Sequence, residues 1–219
     1  MDGKKLSIGE AVKFGWAIMK DHIGFFLGLL TVAFLIENLP AIIANFVREA
    51  LPFISVTLYF ASWVLGFVVQ MGLIKIGLKF CDGIKGQLDD LLSSFNLLLT
   101  FIASSLVYAL IMLGGFILFI VPGVIWGVKF SLYSYFIVDK GLGPLEALKA
   151  SGKATEGAKW DLFLLGGLLG LINLAGALFL LVGLFATIPT SLTAYAYAYR
   201  KLTGQAEGPK NVMYVNLGI

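Results

Sequence analysis

Four polar side chains stand inside stretches that are otherwise apolar: Glu37, Gln70, Lys129 and Asn173. An ionisable or amide group at membrane depth is costly unless it finds a partner, so these residues come first in a search for chemistry. Counted along each helix from its basic end, Lys129 lies about 15 Å deep, Asn173 about 18 Å and Glu37 about 21 Å. Those depths overlap within the reach of a lysine side chain. A Glu37–Lys129 pair joined by Gln70 would make a midplane band suited to a small transporter or channel. In the other reading Lys129 snorkels to one interface and Glu37 reaches the opposite one. Both stay open at this point.

Other reactive groups are scarce. His22, between Asp21 and Ile23, is the only histidine, and Cys81 the only cysteine. No disulfide within the chain can form, and no metal site is expected from one histidine, one cysteine and scattered acids. The spacings GxSxG, HExxH and GxxxxGK[ST] are absent, so the common hydrolase and nucleotide-binding motifs are missing. The expectation is a non-enzymatic protein with no catalytic residues and no cofactor.

These residues must be positioned by apolar helices. The 219 residues are 59% hydrophobic and only 13% charged, with a mean hydropathy of +0.93. Soluble domains carry about a quarter charged residues, and several transmembrane helices are the usual cause of such a departure. The charged, amphipathic N-terminus has no early apolar run, so no signal peptide is expected. The predicted fold is an all-α polytopic membrane bundle in one domain, 1–202, followed by a polar tail, 203–219. Six spans are expected near 23–47, 52–74, 97–120, 124–138, 161–185 and 189–200. Glu37 and Pro40 interrupt the first, while Pro52, Pro122 and Pro189 mark turns.

Charge sets the orientation. Lys4, Lys5, Lys13 and Lys20, then Lys75, Lys79 and Lys85, then Lys140, Lys149, Lys153 and Lys159, then Arg200, Lys201 and Lys210 fall on one side of a six-span chain, leaving Arg48 opposite. The basic side is the cytoplasmic one, which places both termini there in a cell membrane. Lysines beside a bilayer favour anionic lipid, so lipids rather than nucleic acid are the expected partners, with a protein partner or homo-oligomer left open.

Three amphipathic pieces precede the span pairs. Ser7–Lys20 opens with the capping pattern Ser7-x-x-Glu10 and puts Ile8, Ala11, Val12, Gly15, Trp16, Ile18 and Met19 on one arc, as an interfacial helix does. Gln87–Phe95 sets Leu88, Leu91, Leu92 and Phe95 against Asp89, Asp90 and Ser93. Pro144–Lys159 differs, with a narrow face of Ala147, Ala150, Ser151, Ala154 and Ala158 opposite Glu146, Lys149, Lys153 and Glu156. Small residues permit close helix approach, so this piece is expected to pack on protein. Gly24/Gly28, Gly123/Gly127, Gly166/Gly170 and Ala194/Ala198 have the spacing of helix crossings. Tyr195, Tyr199, Trp16 and Trp160 are expected in the interfacial aromatic belt. An acid (Glu10, Asp90, Glu146), a turn proline and a closing glycine (Gly83, Gly141, Gly204) recur three times in loose register, the pattern of a threefold internal repeat.

The stretch Pro122-Gly123, Lys129, Asp139, Gly143-Pro144-Leu145-Glu146-Ala147-Leu148-Lys149-x-Ser151, Gly157 and Trp160 resembles a widespread group of uncharacterised six-helix membrane proteins. That group is similar to the membrane domain fused to some glycerophosphodiester phosphodiesterases. The resemblance covers about 40 residues closely and extends through the six-span layout. It implies a prokaryotic multi-pass protein and carries no agreed activity. No phosphodiesterase is implied, because that activity resides in a separate soluble domain. The functional expectation is a non-catalytic membrane module that organises lipid or a partner protein; the alternative is the small transporter or channel.

Overall fold

The computed structural model describes residues 6–179 and 182–205. Lys4, Lys5, Lys210 and the tail beyond Gln205 lie outside the described residues. Within them the regular structure is helical: α1 (Ile8–Asp21), α2 (Ile23–Val47), α3 (Pro52–Cys81), α4 (Leu98–Leu118), α5 (Ile120–Phe130), α6 (Tyr133–Lys140), α7 (Pro144–Ala154), α8 (Lys159–Leu178) and α9 (Leu184–Leu202). Two 3-10 turns, Leu88–Leu91 and Phe95–Leu97, precede α4.

Five stretches are long and apolar enough to cross a membrane: Ile23–Val47, Pro52–Cys81, Leu88–Leu118, Ile120–Lys140 and Lys159–Leu178. Large apolar side chains stand bare along them, including Phe46, Phe53, Leu99, Ile117 and Leu171. So wide an apolar surface suggests a membrane protein.

The first span has its expected bounds, but Glu37 and Pro40 do not interrupt it: α2 runs through both. The second is longer than expected, because Lys75 and Lys79 stay helical. Lys75 Nζ donates to Ser93 Oγ at 2.8 Å, and Lys79 Nζ meets both Asp90 oxygens at 2.6 and 2.7 Å. The expected helix Gln87–Phe95 is instead 3-10, and the tighter winding turns Asp90 inward, to 6% exposure, beside Leu91. Leu88, Leu92 and Phe95 remain exposed.

Spans three and four become α4, α5 and α6. Pro122 lies in the first turn of α5, where its missing N–H costs nothing. The turn itself is the extended residue Phe119. A Cβ on Gly115 would fall 2.8 Å from Gly123 Cα, and one on Gly127 2.8 Å from Met112 sulfur, so these glycines let α4 and α5 touch. Gly24, Gly28 and Gly170 have nothing within 4 Å and mark no crossing, whereas Gly166 lies against the Tyr195 hydroxyl. Ala194 and Ala198 are fully buried.

The chain from 161 onward departs most from expectation. Span five, expected to reach 185, ends at Leu178. The last helix begins at Leu184, five residues before Pro189, which sits inside it. α9 runs antiparallel to α8 and is also flanked by α1 and α3. Surrounded by protein, it carries Thr187, Thr190, Ser191 and Thr193 where a lipid-facing helix would be apolar, and so it is not among the five stretches above.

α1 is likewise not a free interfacial helix. Glu10 meets Tyr197 and Phe14 stacks near the same ring, while Gly15 lies so close to the Thr190 carbonyl that no Cβ fits. Ala11, Gly15, Ile18 and Met19 are buried as their arc requires. Trp16, expected on that arc, is 46% exposed and Ala17 is buried instead.

The three acids Glu10, Asp90 and Glu146 each occupy the third position of the element they open. Gly83, Gly141 and Gly204 follow the ends of α3, α6 and α9 with φ of 73°, 63° and 72°, a left-handed conformation that suits glycine. Each opening element packs on one of these helices: α1 on α9, the Leu88–Leu91 turn on α3, and α7 on α6.

Candidate functional site

The four polar residues expected at membrane depth are distributed over separate places. Glu37 and Gln70 line one groove between α2 and α3. Lys129 lies in the last turn of α5, with its ammonium 5.1 Å from the Phe130 ring and its stem against Gly152 of α7. Asn173 on α8 donates to Ser191 Oγ of α9 at 2.9 Å, and its Oδ1 is buried without a partner among the described residues. The Glu37–Lys129 pair is absent among the described ion pairs: Glu37 lines the α2–α3 groove, while the Lys129 stem lies against Gly152 of α7.

The α2–α3 groove holds about 620 Å³ and is open on one side. Gly66 faces Glu37, where a Cβ would lie 3.4 Å from Oε1. Ser62 Oγ donates to the Glu37 carbonyl, Asn38 Nδ2 donates to the Phe34 carbonyl at 3.0 Å, and the Tyr59 hydroxyl donates to Asn45 Oδ1 at 2.8 Å.

A second opening lies between α5 and α8. Ile120, Val124, Ile125 and Val128 form one wall of a crevice of about 420 Å³; Phe163 faces them, and Lys159 and Trp160 stand at its α8 start. It shares Val124, Val128 and Phe163 with a neighbouring cleft of about 330 Å³ lined also by Tyr108, Ser131 and Tyr195. Trp160, 74% exposed, and Trp16 have the exposure of belt residues.

Two polar arrangements escaped the sequence reading. Arg200 donates from Nε and Nη2 to Asp82 at 2.9 and 2.7 Å, and from Nη1 to Asp139 Oδ1 and Gln205 Oε1 at 2.8 Å each. The Tyr199 hydroxyl donates to Asp139 Oδ2 at 2.7 Å. Tyr199 is thus fully buried rather than in an aromatic belt, and the ends of α3, α6 and α9 meet at one guanidinium. A signal was present: Asp82 and Asp139 each stand one or two residues before a helix-ending glycine.

The second arrangement explains the Pro122–Trp160 motif. Where α5 breaks into α6, Ser151 Oγ donates to the Lys129 carbonyl at 3.0 Å and accepts from Leu132 N–H at 3.1 Å; Thr155 Oγ1 donates to the same carbonyl at 3.0 Å. Gly143 caps α7, Pro144 opens it, and Glu146 Oε2 accepts from Gly143 N–H at 3.4 Å. Ala147, Leu148, Ser151 and Ala154 are buried, and Gly157 turns the chain at φ 84° into α8. The motif is a structural clasp that seats α7 across a break in a span. α7 ends at Ala154, short of the expected Lys159.

No family model matches the chain, and no solved structure matches it either. The chain is similar to an uncharacterized protein of Mycobacterium bovis, 31% identical over 147 residues, and to uncharacterized proteins of Mycobacterium tuberculosis, 31% and 30% identical over the same length. The alignments cover 67% of this chain and 45% of each relative, so the chain spans about half the length of the curated relatives it matches.

Proposed function

We propose that this chain is a non-catalytic membrane module that holds lipid laterally, with an anionic phospholipid seated in the α5–α8 crevice. The observation that carries this reading is the crevice itself: an apolar slot whose Lys159 and Trp160 stand where a headgroup would lie. An acyl chain fits the apolar walls and a phosphate fits the ammonium, while the indole suits the interface between them. After delipidation and reconstitution, native mass spectrometry should show phosphatidylglycerol retained over phosphatidylcholine. Lys159→Gln should abolish that preference while lipid still binds, and Ile125→Trp, which fills the slot, should lose both. Equal retention of the two lipids by parent and variants would sink the proposal.

The same reading takes α9 as a sixth crossing, with both ends of the described chain on the basic, cytoplasmic side. Its 19 residues span about 28 Å, close to a bilayer core, and it pairs antiparallel with α8. It also takes the chain as three repeats, supported by the matching acids, the left-handed glycines and the docking of each opening element on α9, α3 or α6. This layout agrees with the six-helix group that the Pro122–Trp160 stretch resembles. Ser7→Cys should react with an impermeant maleimide only after the cells are opened, and labelling of intact cells would overturn the orientation.

A further inference from the structure

The α2–α3 groove lies apart from the lipid crevice and has different chemistry. Glu37 is the only carboxylate in α2, and the apolar part of α3 that faces it has none. By length it stands about 21 Å from the start of α2 and about 15 Å from its end, well inside the hydrocarbon. Its side chain is exposed to the groove and has no ion-pair partner among the described residues. A carboxylate in that position is expensive, and no cation among the described residues pairs with it to offset it.

The walls select what could. Asn38 already spends its amide N–H on the helix, which leaves its Oδ1 as an acceptor beside Glu37, and the Gln70 amide lines the same groove. Trp63 and Phe67 stand edge to face, centroids 4.9 Å apart, and present aromatic surface on the α3 side. Aromatic faces attract cations, most strongly where water is excluded. A volume of about 620 Å³ falls within the range of small-molecule sites, on the order of 300 to 1,000 Å³.

We infer that this groove is a binding site for an amphiphilic organic cation, an ammonium carried on an apolar body, which enters sideways from the bilayer and places its charge on Glu37. The apolar body lies against Trp63 and Phe67, and any N–H of the cation is accepted by Glu37, Asn38 or Gln70. Gly66 keeps the floor open where a larger residue would close it.

The test uses the full chain in phosphatidylcholine nanodiscs, titrated with tritiated tetraphenylphosphonium and read by scintillation proximity. Binding should saturate near one probe per chain and be displaced by dodecylammonium but not by dodecanol, which has the same tail without the charge. Glu37→Gln should weaken it at least tenfold, whereas Lys129→Met, outside the groove, should leave it unchanged. Gly66→Leu keeps the carboxylate but fills the floor and should also lose binding, which covers the case of a poorly folded Glu37→Gln. The proposal is overturned if binding does not saturate, if both groove variants bind like the parent, or if dodecanol competes as well as dodecylammonium. It is equally overturned if the chain forms a stable dimer through α2 and α3 that excludes the probe.

Discussion

Arg200→Met should lower the stability of the detergent-solubilised protein by about 3 kcal/mol, within the range for breaking a buried ion pair from one side. The Arg200 side chain is 10% exposed and that of Asp139 is 14%, so removing the guanidinium leaves Asp139 as a shielded anion without its cation. The Asp82 arm, at 39%, is close to solvent and adds little. Arg200→Lys keeps the charge but cannot reach both carboxylates with a planar fork, and should fall between parent and methionine variant. Adding Asp139→Asn to Arg200→Met should recover part of the loss, because the stranded charge is then gone. Thermal unfolding midpoints read all three, and a methionine variant as stable as the parent would show that the guanidinium does not hold the helix ends together.

The second large effect is expected at Ser151. Its hydroxyl supplies the buried Leu132 N–H with its acceptor and the Lys129 carbonyl with one of two donors. Ser151→Leu strands the Leu132 amide, about 1 to 3 kcal/mol for a buried unsatisfied group, and overpacks a fully buried face, about 1 to 3 kcal/mol more. Ser151→Ala should show the first loss without the second. Ala154→Leu should show the second without the first. Lys153→Gln, on the exposed face, should change stability by less than about 0.5 kcal/mol. If the leucine variants match the parent and the glutamine variant is the weak one, α7 is held by its charged face instead.

How much of this could be read from the chain depended on which solvent each helix sees. α2 has its expected bounds because a long, largely apolar run is its own signature, and the helix continues through Glu37 and Pro40. α9 departs from its expected bounds for the converse reason. Enclosed by α1, α3 and α8, it is free to carry threonines and tyrosines, so its apolar run looked short and Pro189 looked like a boundary. A 100° winding puts Asp90 on the solvated face, but the 3-10 turn does not obey that winding. The α7 face was legible because its small residues alternate cleanly with charges, but not what it clasps, since the α5–α6 break has no proline or glycine to announce it. Arg200 read as one more cytoplasmic cation because Asp82 and Asp139 lie 118 and 61 residues away in sequence.

The seating of α1 on α9 has a consequence for how the chain is made. Tyr197 and Glu10 are 187 residues apart. At a ribosomal pace of about 5 to 20 residues per second, α1 emerges roughly 10 to 40 seconds before the helix that will cover Ala11, Gly15 and Ile18. An amphipathic segment need not wait in water: it can lie along lipid headgroups until its partner helix is made. The periodicity that made Ser7–Lys20 look like a surface helix then describes its lodging during synthesis, and the close Gly15–Thr190 contact describes where it finishes.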